Sequence, residues 1–276
     1  MTVALACDDH PMPRSTASLA ERLALVAHDD DHFVSKQAVE GPHVFGGLLV
    51  GQALRAAALT VDAGHLARAV HASFLVPGSG GEPLHHLVER TRDGASFATR
   101  RVVVRQERGI VLVLTADFHR DEDGVDYEQA PVPGIPRPDA LTPGRYDNPY
   151  VESRDVPVDG APAVPEHARR AWFRVIEPLG DDPALQQHAL AYLSDHGPTR
   201  AAREPHAHLA DDARRQSVTL DHSVWFHRPT DANQWLLSEL VPASTARGRG
   251  LATGTLRALD DTLVATVAQE VLLRTR

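Results

Sequence analysis

The chain has 276 residues, 42% of them hydrophobic, which is enough to fill the cores of two domains of about 110 to 130 residues each. Its 28 lysines and arginines against 37 aspartates and glutamates leave a formal charge of −9, which argues against general nucleic-acid binding but not against a polyphosphate held by a local group of arginines. The single Cys7 gives no disulfide framework, no apolar run approaches the roughly twenty residues of a membrane span, and MTVALACDDHP lacks the length and basic start of a signal peptide, so a cytoplasmic protein is expected.

Residues 1–30 read as a tail with a short helix, and residues 31–120 as a first α+β unit. In that unit a strand near Phe33 leads to a helix from about Gly46 to Val61, FGGLLVGQALRAAALTV, in which Gln52 and Arg55 are the only strongly polar interior members. A helix with so little polar face must be buried. The strands that follow carry Val, Thr and Phe at alternating positions, as in ATRRVVVRQ, with turn signals such as RDG at Arg92 to Gly94.

Residues 121–168 read as a linker packed on the surface. Nine of the 20 prolines fall between Pro131 and Pro165, so little regular sheet or long helix is expected there. The second unit, residues 169–276, repeats the order: a strand near Trp172, a helix from about Pro183 to Asp195, then strands. It also holds an insertion from His196 to Ser217, expected to be disordered or a loose flap. His206 and His208 within it have H-x-H spacing but no partner set, so no metal site is expected.

The two units are copies. FLVP at Phe74 and FHRP at Phe226 lie 152 positions apart (226 − 74), and Asp117 falls opposite Gln269 at the same offset (269 − 117). A shared period and pattern argue for a duplicated supersecondary unit. Against that background three polar residues in apolar runs stand out: Asp195 in LAYLSD, Thr219 in VTLDHSVWFH and Gln269 in LVATVAQEVLLR. A carboxylate, a hydroxyl and a carboxamide can together hold and deprotonate one water, although each is also at home as a helix end, a strand hydroxyl and a satisfied amide. A carboxylate at a helix C-terminus faces the negative end of the dipole, and partial burial would raise its pKa further, which would suit Asp195 to act as base.

The elements VFGGLLVGQALRAA, HASFLVPG, RDGASFATRRVVVRQ and TADFH, followed by LAYLSD, TLDHSVWFHRP, WLLSEL, ARG and VAQE, resemble the type II acyl-CoA thioesterases in order and spacing from about Phe33 to Arg274. The resemblance implies a double hotdog, two central helices each wrapped by a curved antiparallel sheet. It further implies hydrolysis of acyl-CoA to free acid and coenzyme A, within fatty acid metabolism, and a catalytic water on the positions matching Asp195, Thr219 and Gln269. No cofactor is expected beyond the coenzyme A of the substrate, and no metal. Gly46 and Gly47 could present backbone N–H groups to the substrate carbonyl, and Arg228, Arg247 and Arg249 could meet its phosphates. The sequence departs from the family pattern at Leu48 and at His196-Gly197-Pro198, which bears on substrate preference.

Asp221 and His222, adjacent on a strand, face opposite sides, so DHSVWFH reads mainly as a structural signature with Trp225 and Phe226 as packing residues. No G-x-S-x-G elbow, P-loop or dinucleotide fingerprint is present. The alternatives are a hydratase-type lyase acting on enoyl thioesters and a non-catalytic acyl-thioester binding module, since fold does not fix chemistry. Exposed strand edges lead to the expectation of a homo-oligomer.

Overall fold

The computed structural model describes residues 17–36, 42–144, 148–157, 165–207 and 215–275. Cys7, His208 and most of the expected tail lie outside the described residues. In chain order the helices are α1 (Leu19–Leu23), α2 (Gly46–Ala58), α3 (Pro183–Ser194) and α4 (Pro198–Arg203). The first six strands are β1 (Leu25–Asp29), β2 (His32–Ser35), β3 (His65–Phe74), β4 (His85–Asp93), β5 (Phe97–Gln106) and β6 (Gly109–Arg120). The second six are β7 (Val151–Asp155), β8 (Arg169–Val175), β9 (Arg215–Phe226), β10 (Leu236–Ala246), β11 (Arg249–Ala258) and β12 (Leu263–Thr275).

All twelve strands join one antiparallel sheet in the order β1-β2-β4-β5-β6-β3-β9-β12-β11-β10-β8-β7. From the centre outward the halves match strand for strand, β3-β6-β5-β4-β2-β1 against β9-β12-β11-β10-β8-β7. They meet where β3 pairs with β9, and there His71 lies opposite Ser223, its own counterpart in the repeat (223 − 71 = 152). Their side chains touch at 3.0 Å. Equivalent residues facing each other place an approximate two-fold axis between them, so the sequence repeat is also the symmetry of the fold. The result is the expected double hotdog.

The two long helices fill the interior. In α2 the stretch Gly47 to Leu54, with Ala56 and Ala57, is buried, as the missing polar face requires. It lies against α3 at very close range: a Cβ on Gly47 would sit 2.5 Å from the Tyr192 carbonyl oxygen, and one on Gly51 3.1 Å from that of His188. Glycines one turn apart thus form a groove that receives the other helix. Asp182 caps α3 by accepting from the Ala184 N–H, and Pro183 occupies its first turn, where a missing N–H costs nothing.

Three details depart from the sequence reading. β1 lies within residues 1–30 and β7 within 121–168; both are short edge strands of four to five pairings that add one strand to each end of the sheet. Around a short 3-10 turn at Pro138–Ala140 the described linker is strapped to the second unit, with Arg137 paired to Asp261 and the Trp172 indole donating to the Pro136 carbonyl. The insertion is also more ordered than a loose flap. Gly197, at φ 103°, turns the chain so that Pro198 can open α4. The small Ala201 and Ala202 then pack on Leu240, Ala252 and Val271, and only 208–214 of the segment lie outside the described residues.

Candidate active site

Thr219 and Gln269 are brought together by the pairing of β9 with β12, and a bulge decides how. The register slips between Glu270 and Val271, whose partners are Asp221 and Thr219, so Leu220 is the extra residue. The first unit slips at the equivalent place, around Arg68 (220 − 152 = 68). Without the bulge, residues 219 and 222 would face opposite sides of the sheet. With it, Thr219 and His222 are both buried toward the interior, while Asp221 stays half-buried and accepts from the Glu270 N–H.

Gln269 is wholly buried and stands at the centre. Its Nε2 donates to Thr219 Oγ1 at 3.1 Å and to Thr199 Oγ1 at 3.1 Å. Its Oε1 meets His222 Nδ1 at 2.6 Å. The other ring nitrogen of His222 meets Ser194 Oγ at 2.8 Å. Ser194 is the last residue of α3 and Asp195 its C-cap, so this chain of hydrogen bonds ends one residue from the carboxylate. Burial pushes the His222 imidazole down to about 4.

Asp195 is buried, and its carboxylate lies over the start of α2. A Cβ on Gly46 would be 2.7 Å from Asp195 Oδ2 and 3.3 Å from the Phe74 ring. The carboxylate therefore sits between two helix ends of opposite polarity, the C-terminus of α3 and the N-terminus of α2. That changes the expectation drawn from α3 alone. α2 opens at Phe45 with no side-chain cap, so its first N–H groups face the same place as the carboxylate. Behind Asp195, His196 packs edge-on against Phe45 and at a tilt against Tyr192, and Asn148 bonds both the Tyr192 hydroxyl and His196 Nε2. Burial pushes the His196 imidazole to about 4 and the Tyr192 hydroxyl upward.

The arginines separate into two groups. Arg228 is held by Asp126 at 2.5 Å and Glu128 at 3.1 Å, which clamps the linker to the start of β12 and occupies its guanidinium. Arg247 and Arg249 lie at the β10–β11 turn, where Arg247 takes φ 51° and Arg249 pairs with Glu270 at 2.9 Å. Among the described residues no three His, Cys, Asp or Glu side chains are grouped as a metal ion would need.

Sequence reasoning did not find Thr199, Ser194 or the interior role of His222. Thr199 sits in the insertion, for which no helix was expected. Alternation correctly turned Asp221 and His222 to opposite faces, but the bulge that aligns His222 with Thr219 leaves no residue signature.

Two family models match the chain: acyl-CoA thioesterase over residues 153–272 and acyl-CoA thioesterase N-terminal domain over residues 35–119. Acyl-CoA thioesterase 2 of Haemophilus influenzae is 30% identical over 253 residues, covering 84% of this chain and 87% of that protein. The chain belongs to the type II acyl-CoA thioesterase family. Human acyl-coenzyme A thioesterase 8 is 30% identical over 276 residues, covering 90% of this chain and 86% of its own. The crystal structure of acyl-CoA thioesterase II TesB2 from Mycobacterium marinum superposes with a TM-score of 0.84 at 36% identity, covering 94% of this chain and 99% of that one. A hot dog fold protein of unknown function from Alicyclobacillus acidocaldarius, at 20% identity and a TM-score of 0.78, shares the fold. No described helix is long and apolar enough to cross a membrane.

Proposed function

We propose that this chain hydrolyses acyl-CoA thioesters with a water held by Asp195, Thr219 and Gln269. The observation that carries the reading is the direct contact of Gln269 Nε2 with Thr219 Oγ1 in a buried setting, on the strands beside the helix that ends in Asp195. Asp195 takes a proton from the water as its oxygen adds to the thioester carbonyl carbon. The tetrahedral oxyanion is met by the uncapped N–H groups at Gly46 and Gly47, which glycine lets the substrate approach closely. Collapse breaks the carbon–sulfur bond, and the proton on Asp195 goes to the leaving thiolate. The products are a carboxylic acid and coenzyme A, and no bond to the protein forms.

Arg247, and Arg249 with Glu270 as a single carboxylate partner at 2.9 Å, are better placed to meet the phosphates of coenzyme A than Arg228, whose guanidinium is held by two carboxylates. Single-turnover reaction in ¹⁸O-labelled water, with thiol release followed across an acyl-CoA series, tests the chemistry. One labelled oxygen should enter the released acid. Label appearing in the protein carboxylate would mean that Asp195 attacks directly, and hydration of an enoyl substrate without thiol release would mean a lyase.

A further inference from the structure

We propose that His222 is a positioning residue that fixes the orientation of the Gln269 carboxamide and thereby frees the Thr219 hydroxyl proton for the attacking water. The inference rests on the water site proposed above. Two hydrogen-bond arrangements fit the positions of these groups, and they differ in where the protons go. In the first, His222 Nδ1–H donates to Gln269 Oε1, and both amide hydrogens of Nε2 go to Thr199 and Thr219. Thr219 is then an acceptor inside the protein, and its own proton can point outward. In the second the carboxamide is turned over and the ring carries its proton on Nε2. Thr219 must then spend its proton on Oε1.

The geometry selects the first arrangement. A separation of 2.6 Å between Nδ1 and the amide suits a strong N–H to oxygen bond and is too short for nitrogen against nitrogen. The turned-over form would also leave one hydrogen of a wholly buried amide without a partner, which is costly. Ser194 Oγ lies 2.8 Å from the ring's Nε2 and 2.8 Å from the Ala191 carbonyl, so its one proton fits either tautomer and the amide contacts make the selection. The tautomer of one ring therefore sets the direction of the amide, and the amide sets that of the hydroxyl.

The first unit provides an internal control. At the positions equivalent to Thr219 and His222 it has Ala67 and Val70, each 152 earlier, and the residue that pairs with Val70 as Gln269 pairs with His222 is Ala116 (269 − 116 = 153). All three polar members change together, which is expected of groups that work as a set. Burial pushes the His222 ring to about 4, so one proton stays on it at neutral pH and the choice of tautomer is the only freedom left.

A double-mutant cycle tests the inference, with kcat and KM for an acyl-CoA substrate read from thiol release. His222→Val, which installs the residue of the first unit, and Gln269→Leu should each lower kcat about 100-fold. KM should change less than about three-fold. The double variant should fall no more than about three-fold below the worse single one, because His222 acts only through Gln269. His222→Asn, whose side-chain N–H can occupy the place of Nδ1–H, should recover kcat to within about ten-fold of the parent protein. Losses that multiply in the double variant, or a His222→Val variant with normal kcat, would overturn the proposal while leaving the water site standing. Normal turnover by Gln269→Leu would instead remove the water site, and this inference with it. Nitrogen NMR of the unaltered protein gives an answer that needs no variant: the proton of His222 must be on Nδ1, and a signal from Nε2–H would refute the arrangement.

Discussion

Lowering the pH from 7 to 5 should destabilise this protein steeply, through histidines that the fold keeps neutral. Burial pushes His222 and His196 from 6.5 to about 4, and His86 and His188 from 6.5 to about 3. These are depressed values, so the unfolded chain binds protons in this range that the folded chain refuses. Stability is therefore complete above about pH 6.5 and falls as pH drops toward the folded values. Each pH unit below 6.5 costs about 1.4 kcal/mol per histidine. At pH 5 that is about 2 kcal/mol for each ring, and about 8 kcal/mol for four, comparable to the whole stability of an ordinary domain.

Urea unfolding followed by circular dichroism at half-unit steps from pH 7.5 to 5 measures the slope directly. His188→Leu, which replaces a buried ring whose Nδ1 has no partner, should flatten the slope by about one proton. A midpoint that does not move between pH 7 and 5 would refute the assignment of these rings as neutral in the fold. So would a His188→Leu variant whose slope matched the parent.

Gly47→Ala should drive α2 and α3 apart, since its Cβ would fall 2.5 Å from a backbone oxygen. A loss of about 1–3 kcal/mol in chemical denaturation is expected, with kcat lowered because Asp195 shifts with the helix. Thr219→Val keeps the shape but removes the hydroxyl and should reduce kcat about 100-fold, whereas Thr219→Ser should retain most of it; equal rates in steady-state thiol release would show that the hydroxyl is not used. Arg247→Ala and Arg249→Ala should each raise KM for acyl-CoA about three-fold or more, while Arg228→Ala should leave KM within about two-fold and lower thermal stability instead.

The duplicated architecture was legible because the 152-residue offset holds through β3, β4 and β5, and it reappears as His71 facing Ser223 at the sheet centre; on β6 and β12 it slips to 153, so the counterpart of Gln269 is Ala116 and not the expected Asp117. The buried character of α2 was equally plain, because its residues leave no polar stripe. Edge strands β1 and β7 were not legible. They are short, they pair on one side only, and β7 lies in a segment whose prolines mask it. Thr219 and Gln269 could be chosen as polar residues in apolar runs, and they do meet. Their partners could not be chosen. Thr199 depends on a helix whose alanines pack only because Leu240, Ala252 and Val271 present an apolar surface. His222 depends on a bulge, which is a property of the pairing of two strands rather than of either one. The placement of Gly46 against Asp195 was likewise hidden, since a glycine pair at a helix start has no visible partner until the second helix is in place.

The most direct test of the water site is Asp195→Asn, assayed by thiol release under saturating acyl-CoA. The amide keeps the shape of the side chain between the two helix ends but cannot take a proton, so kcat should fall about 10²- to 10⁴-fold. Circular dichroism and acyl-CoA binding should stay close to those of the parent protein. Normal turnover by a folded Asp195→Asn variant would contradict the account, because no carboxylate would then be needed to activate the water.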